Sequence, residues 1–284
     1  MALILVLFTL TLLFLEAKTR GRAKFYRSSA GAVCKPQAAR LGVWRWPALV
    51  MCAAVVMVGL VMPVGVIGFW LLRGWLNGEA IAFSWNLILN SVTASGLAAL
   101  VGVAAAVPVA VLAVRYHGRA SSLIEKAAYT GYALPGVVIA LSLVFFGANY
   151  TSFLYQTLAM LIFAYVVRFL PQAVGATRTS LLQISPNLEE AARCLGRSPF
   201  NTLRTITLPL MRSGLLTGAA LIFLTAMKEL PSTLLLSPTG FGTLATRIWS
   251  ASGEAFFAQA AAPGLILLLV SGLSIMLILS QEEQ

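Results

Sequence analysis

The feature that most constrains this chain is a succession of apolar runs, each near the length needed to cross a bilayer. They fall at about 47–72, 86–114, 127–147, 153–170, 214–236 and 262–280. A helical span needs roughly 20 mainly apolar residues. In lipid the backbone must satisfy its own hydrogen bonds, so each run is expected to be helical. Charged residues make up only 10% of the 284-residue chain, where a soluble domain carries about 25%. The expected fold is an all-α polytopic membrane protein with about six transmembrane helices. Residues 1–15 form a shorter apolar run, read as a short N-terminal helix or the tail of a helix that begins upstream. Residues 16–46 read as a basic cytoplasmic linker, and 47–280 as the membrane domain.

The formal net charge is +11, and its placement carries the meaning. The basic residues gather in 16–46, 115–126 and 168–212, leaving only Arg73, Lys228 and Arg247 outside those clusters. Lysine and arginine are enriched in cytoplasmic loops. That rule puts 16–46, 115–126, 171–213 and the C-terminal "QEEQ" inside, with 73–85, 148–152 and 237–261 outside. Membrane topology thus accounts for the charge, and lipid rather than nucleic acid is the expected contact. Small residues crowd "SVTASGLAALVGVAAAVPVA" (91–110), which lets helices approach closely. Pro63, Pro108 and Pro135 lie inside expected spans and read as kinks rescued by packed neighbours. Phe241, Trp249, Phe256 and Phe257 suit either an interfacial belt or a face for an external partner.

Reactive constellations are scarce. No lysine follows a glycine, so the chain has no G-x-x-x-x-G-K-[ST] phosphate loop. Aspartate is absent, and the single histidine, His117, stands between Arg115 and Arg119 like a loop residue. Cys34, Cys52 and Cys194 form no CxxC pair and read as inert thiols. No zinc-type ligand spacing occurs. The chain is therefore not expected to be an enzyme, and no catalytic residue, metal or cofactor is assigned to it.

One polar insert stands out, "EEAARCLGRSPFNTLRTITLPL" (189–210). Ser185-Pro186 and Ser198-Pro199 are helix-start signatures, a capping serine followed by proline at the first helical position. Leu188, Ala191, Ala192 and Leu195 recur at helical spacing and predict one apolar face. Glu189 and Arg193 are expected to pair at i, i+4 on the outer surface. Gly196 sits where a left-handed residue would end the first helix. The second helix carries Phe200, Leu203, Ile206 and Leu210, with Pro209 closing it before the next span. Two short amphipathic helices joined by a glycine turn could lie on lipid or present a face to a soluble partner. The pattern alone leaves both open.

The spacing Glu190-Ala191-Ala192, three residues, Gly196, nine residues, Ile206, one residue, Leu208-Pro209 resembles the EAA loop of ATP-binding-cassette importer permeases of type I. "AMKELPSTLLLSPTGFGTLATRIWSASGE" (226–254) is similar to the matching region of ferric-iron permeases. The resemblance implies that Glu190, Ala191, Ala192, Gly196, Leu208 and Pro209 couple the chain to a cytoplasmic ABC ATPase dimer. That partner would use the ATP, while this chain binds no cofactor. It also implies a soluble substrate-binding protein outside, near 237–261, and a second permease half or copy, since members of that branch often carry two homologous halves and this chain has one EAA loop. Location in a bacterial inner membrane with the C-terminus cytoplasmic follows, with ferric iron as first cargo and thiamine, phosphonate or another small ion as the alternative.

Lys228 and Glu229 fall within the expected span 214–236, where ionisable groups are costly and usually face a cavity or a partner. They read either as a mutually neutralising pair or as residues that line or gate the translocation path. Neighbours on a helix point about 100° apart, so both cannot easily face one narrow pore. The rival readings are an ion-coupled secondary transporter, which would be expected to carry more intramembrane acids, and a membrane scaffold without transport.

Overall fold

A computed structural model describes residues 42–79, 84–116 and 118–282. The expected N-terminal helix, most of the basic linker and His117 lie outside the described residues. Among the described residues there are eleven helices when continuous segments are joined. They are α1 (Gly42–Leu76), α2 (Trp85–Arg115), α3 (Arg119–Ala133), α4 (Gly136–Tyr150), α5 (Leu158–Gln183), α6 (Pro186–Cys194), α7 (Pro199–Leu210), α8 (Arg212–Met227), α9 (Pro231–Leu236), α10 (Leu244–Gly253) and α11 (Phe257–Glu282). α1, α2, α5 and α11 are each long and apolar enough to cross a membrane, and two bent pairs raise the total to as many as 6. The all-helical membrane architecture expected from the sequence is the one observed.

Two expected spans are broken, and proline explains both breaks. Run 127–147 divides into α3 and α4, which meet at 105°. Leu134 is extended there (φ −92, ψ 133) and Pro135 caps α4, because proline disfavours a helical residue before it. Pro135 is thus a hinge between helices rather than a kink inside one. Run 214–236 divides into α8 and α9, with Pro231 at the start of α9. A further bend of 72° separates α7 from α8. Pro63 and Pro209 are absorbed differently: each follows a wide π turn, Met57–Val61 and Leu203–Thr207 respectively. Proline offers no N–H to the helix ladder, and the wider turn changes the hydrogen-bond spacing just before it. Pro108 lies inside α2 without ending it.

The core is the packing of α2, α5 and α8. Along α2 the buried residues Ala94, Ala98, Gly102, Ala106 and Ala110 stand four apart and form one seam of small side chains. Such a seam brings helix axes close in lipid. Ile222 of α8 fills the space over Gly102, and Gly218 of α8 lies so close to α5 that an added Cβ would be 3.1 Å from the Ala173 Cα. Tyr165, Leu161, Leu181 and Val174 of α5 complete the buried layer. α1 differs: it touches α11 near Trp70–Phe257, with ring centroids 5.0 Å apart, and Gly74 is its one buried residue.

Candidate coupling and translocation sites

The insert folds as two helices joined by a glycine turn. Ser185 lies at the start of α6 without a side-chain cap, but the Leu188 N–H donates to its carbonyl at 3.2 Å. At the other end Gly196 adopts φ +82. The Gly196 N–H donates to Arg193 O at 2.9 Å and the Arg197 N–H to Ala192 O at 3.1 Å, which satisfies the last carbonyls of α6. Ser198 caps α7 by accepting from the Asn201 N–H at 3.3 Å. Arg197, just after the turn, reaches forward to donate to the Thr205 hydroxyl of α7 at 2.7 Å.

Leu188, Glu190, Ala191, Leu195 and Phe200 are exposed, Leu195 at 84% and Phe200 at 72%. Ala192 is buried, so the expected apolar face is split, with Ala192 underneath and the rest outward. Leu208 is half-buried and Pro209 exposed just before the elbow at Met211. Met211 is fully buried against Val114, Leu181 and Ile184. α5 continues as helix to Gln183, so the first part of the expected loop 171–213 is an extension of that span.

Glu189 departs from expectation. It is not a surface partner of Arg193 but a buried residue, 8% exposed. Its Oε1 lies 3.1 Å from Arg115 Nη2 and 3.2 Å from Arg115 Nε, and accepts from the Thr207 hydroxyl at 3.1 Å. Arg115 Nη2 also donates to the Ile184 carbonyl at 3.1 Å. One guanidinium at the end of α2 thus gathers the end of α5, helix α6 and, through Glu189, helix α7. Helical periodicity pointed Glu189 toward Arg193; the winning partner lies 74 residues away.

The second polar cluster lies at the break between α8 and α9, with Lys228 as the C-terminal cap of α8. Lys228 and Glu229 therefore sit outside helix rather than within one span, and they do not pair with each other. Glu229 is buried and forms an ion pair with Arg168 of α5; its Oε1 also accepts from the Ser232 N–H at 3.3 Å and hydroxyl at 3.0 Å. Thr233 donates to the Glu229 carbonyl and shares a 2.6 Å hydrogen bond with Tyr165. Gly136 at the start of α4 leaves room for the Arg168 guanidinium, with which any Cβ would collide. Arg168, grouped by sequence with the cytoplasmic basic residues, lies well inside α5.

Nearby, Gln172 of α5 donates to the Tyr132 hydroxyl at 2.9 Å and accepts from Thr225 at 3.1 Å. Lys228 is exposed. Sequence reasoning did not single out Arg115, Thr207, Arg168, Gln172 or Ser232. The legible signals were an arginine at the end of an apolar run and a proline two residues after Glu229. Among the described residues no group of three or more His, Cys, Asp or Glu could hold a metal ion.

A helical membrane bundle with a helix–glycine turn–helix insert feeding one broken span is the type I ABC importer permease fold. The chain is similar to one in the crystal structure of a bacterial ABC transporter involved in the import of the acidic polysaccharide alginate. That match has a TM-score of 0.62 and 17% identity, over 84% of this chain and 94% of that one. It is also similar to a chain of the MetNI methionine ABC transporter in an inward-facing conformation, with a TM-score of 0.53 over 76% of this chain and 94% of that one, at 16% identity.

Residues 98–281 match the family described as binding-protein-dependent transport system inner membrane component, and the chain belongs to that family. The Fe(3+)-transport system permease protein FbpB 2 of Haemophilus influenzae is 36% identical over 97% of this chain. The chain spans about half of that relative, 55% of its length. A putative 2-aminoethylphosphonate transport system permease protein, PhnV of Salmonella typhimurium, is 30% identical over 71% of this chain and 74% of its own length.

Proposed function

We propose that the chain is the membrane permease subunit of an ATP-driven importer, with a soluble binding protein delivering cargo at the α10 end and an ABC ATPase dimer docking at α6–α7. The observation that carries this reading is the exposed edge of Leu188, Ala191, Leu195 and Phe200, set on either side of the left-handed turn at Gly196. Apolar anchors on a short helix are what a groove in a partner receives. A bilayer orientation with α6–α7 and the C-terminus in the cytoplasm agrees with the basic residues around the insert. A second permease half or copy completes the pathway, and Lys228 and Glu229 line or gate it.

Ferric iron is the first cargo reading, supported by the 36% identity to the ferric relative across nearly the whole chain. A small oxyanion is the second. It is favoured by Lys228, an exposed cation level with the Gln172–Tyr132–Thr225 cluster, and by the phosphonate relative. Purification through a tag on this chain from its own host tests the machinery. An ATPase should co-purify with the wild type and be lost from Gly196→Asp, while the variant still inserts in the membrane. Normal ATPase recovery and uptake in Gly196→Asp would remove the docking assignment. Competition between radiolabelled ferric ion and 2-aminoethylphosphonate for ATP-dependent uptake separates the two cargo readings.

A further inference from the structure

Helix α6 packs against α7, and its polar tie to the membrane bundle runs through Arg115. Three elements meet at that side chain. The Ile184 carbonyl at the end of α5 accepts from Arg115 Nη2 at 3.1 Å, the Glu189 carboxylate of α6 lies 3.1 Å from the same atom, and Thr207 of α7 donates to that carboxylate at 3.1 Å. The side chains of Arg115 and Glu189 are only 10% and 11% exposed. Surface charge pairs contribute little. A pair this well enclosed, with its hydrogen bonds made, fixes geometry instead, because breaking it strands a charge. The outward neighbours Leu188, Ala191 and Leu195 belong to the same short helix, so a load on that edge reaches Glu189 through rigid backbone.

We infer that Glu189, through Arg115 and Thr207, is the positioning residue that passes movement of the docked edge into α2 and α5, in parallel with the covalent path from α7 through the Met211 elbow into α8. This rests on the importer reading above. Glu190, beside it and exposed, faces the partner; Glu189 faces inward and makes α6 part of the bundle. Without the tie, α6 would follow its partner while α2 stayed behind, and nucleotide turnover would no longer set the state of the membrane path.

The test uses the complex purified through a tag on this chain and reconstituted in liposomes. The three native cysteines are replaced by serine, and a reporter, Leu89→Cys, is placed on the exposed surface near the far end of α2. Labelling of the reporter by a membrane-impermeant maleimide is compared with and without vanadate-trapped ATP. In the parent chain trapping should change the labelling rate. In Glu189→Gln that change should shrink by about fivefold or more, the lower range of ordinary coupling between sites, while ATPase recovery and hydrolysis stay within about twofold of the parent. Glu189→Asp, which keeps a carboxylate for Arg115 and Thr207, should retain more of the response than Glu189→Gln, a difference that a loss of folding would not produce. Thr207→Val, which keeps the ion pair, should give an intermediate loss. A full response in Glu189→Gln with ATPase bound overturns the inference, as does a Glu189→Asp variant that assembles but responds no better than Glu189→Gln. Failure of any ATPase to co-purify with the parent chain overturns the importer reading instead.

Discussion

Two buried carboxylates bracket α8, and the contrast between them separates two ways a membrane helix can be held. Glu189 lies ahead of α8 in the chain, on an amphipathic helix at the end of the bundle, and meets Arg115 of α2. Glu229 lies just after α8, in a helix break, and meets Arg168 of α5. Each offers one oxygen to an arginine and to at least one hydroxyl. The first pair is closed on both sides, at 10% and 11% exposure. The second is lopsided: Glu229 is 6% exposed and Arg168 28%. A closed pair at a bundle end suits a joint that moves as one body. A half-open pair beside a helix break suits a point where one partner can be reached from outside the packing. α8 runs between the two: ahead of it α6 and α7 are tied to α2, and just after it the chain is tied to α5.

The largest effect is expected where the interior is deepest. Glu229→Ala removes the acceptor shared by Arg168 and by the Ser232 N–H and hydroxyl; with Arg168 28% exposed its charge is only partly stranded, and the loss should be about 3 kcal/mol. It should appear as a marked fall in the thermal midpoint and in the yield of folded protein. Arg115→Ala comes next. It leaves Glu189 with only the Thr207 hydroxyl, but at the bundle end, and should cost about 1–3 kcal/mol. If Arg115→Ala proves the more damaging of the two, the ranking of the pairs is reversed and the joint at α6 is the main structural tie. The smallest stability effect belongs to Lys228→Gln, whose exposed side chain should change stability by no more than about 0.5 kcal/mol. Its expected consequence is functional: uptake falls while the thermal midpoint holds. A large midpoint shift with unchanged uptake would make Lys228 structural and leave Glu229 as the sole polar candidate in the break.

The membrane made most of the fold legible. Apolar length sets the number of spans, and the small-residue seam of 91–110 correctly announced close packing along α2. What the sequence hid followed from distance. Glu189 has a plausible local partner in Arg193, and nothing in periodicity reveals that Arg115, a whole span and more earlier, competes for it and wins. Lys228-Glu229 looked like a charged pair inside one helix because 214–236 carries no other charged residue. Pro231 and Pro135 were visible, yet a proline within an apolar run is compatible with a rescued kink as well as with a break, and only the surrounding packing decides. The glycine turn at Gly196 was readable because it depends on local backbone alone: a left-handed residue after a short helix has few alternatives to glycine.

The isolation of α1 carries a practical consequence for anyone handling this protein. Its contacts within the chain fall near Ile67, Trp70 and Gly74, against α11, and its other residues are mostly exposed, so for the rest of its length its partner is hydrocarbon or another chain. Extraction into detergent replaces that partner for α1 but leaves the interior of α2, α5 and α8 as it was. The choice of surfactant should therefore govern the behaviour of residues 42–76 first, and a micelle that suits the bundle can still leave this helix poorly seated.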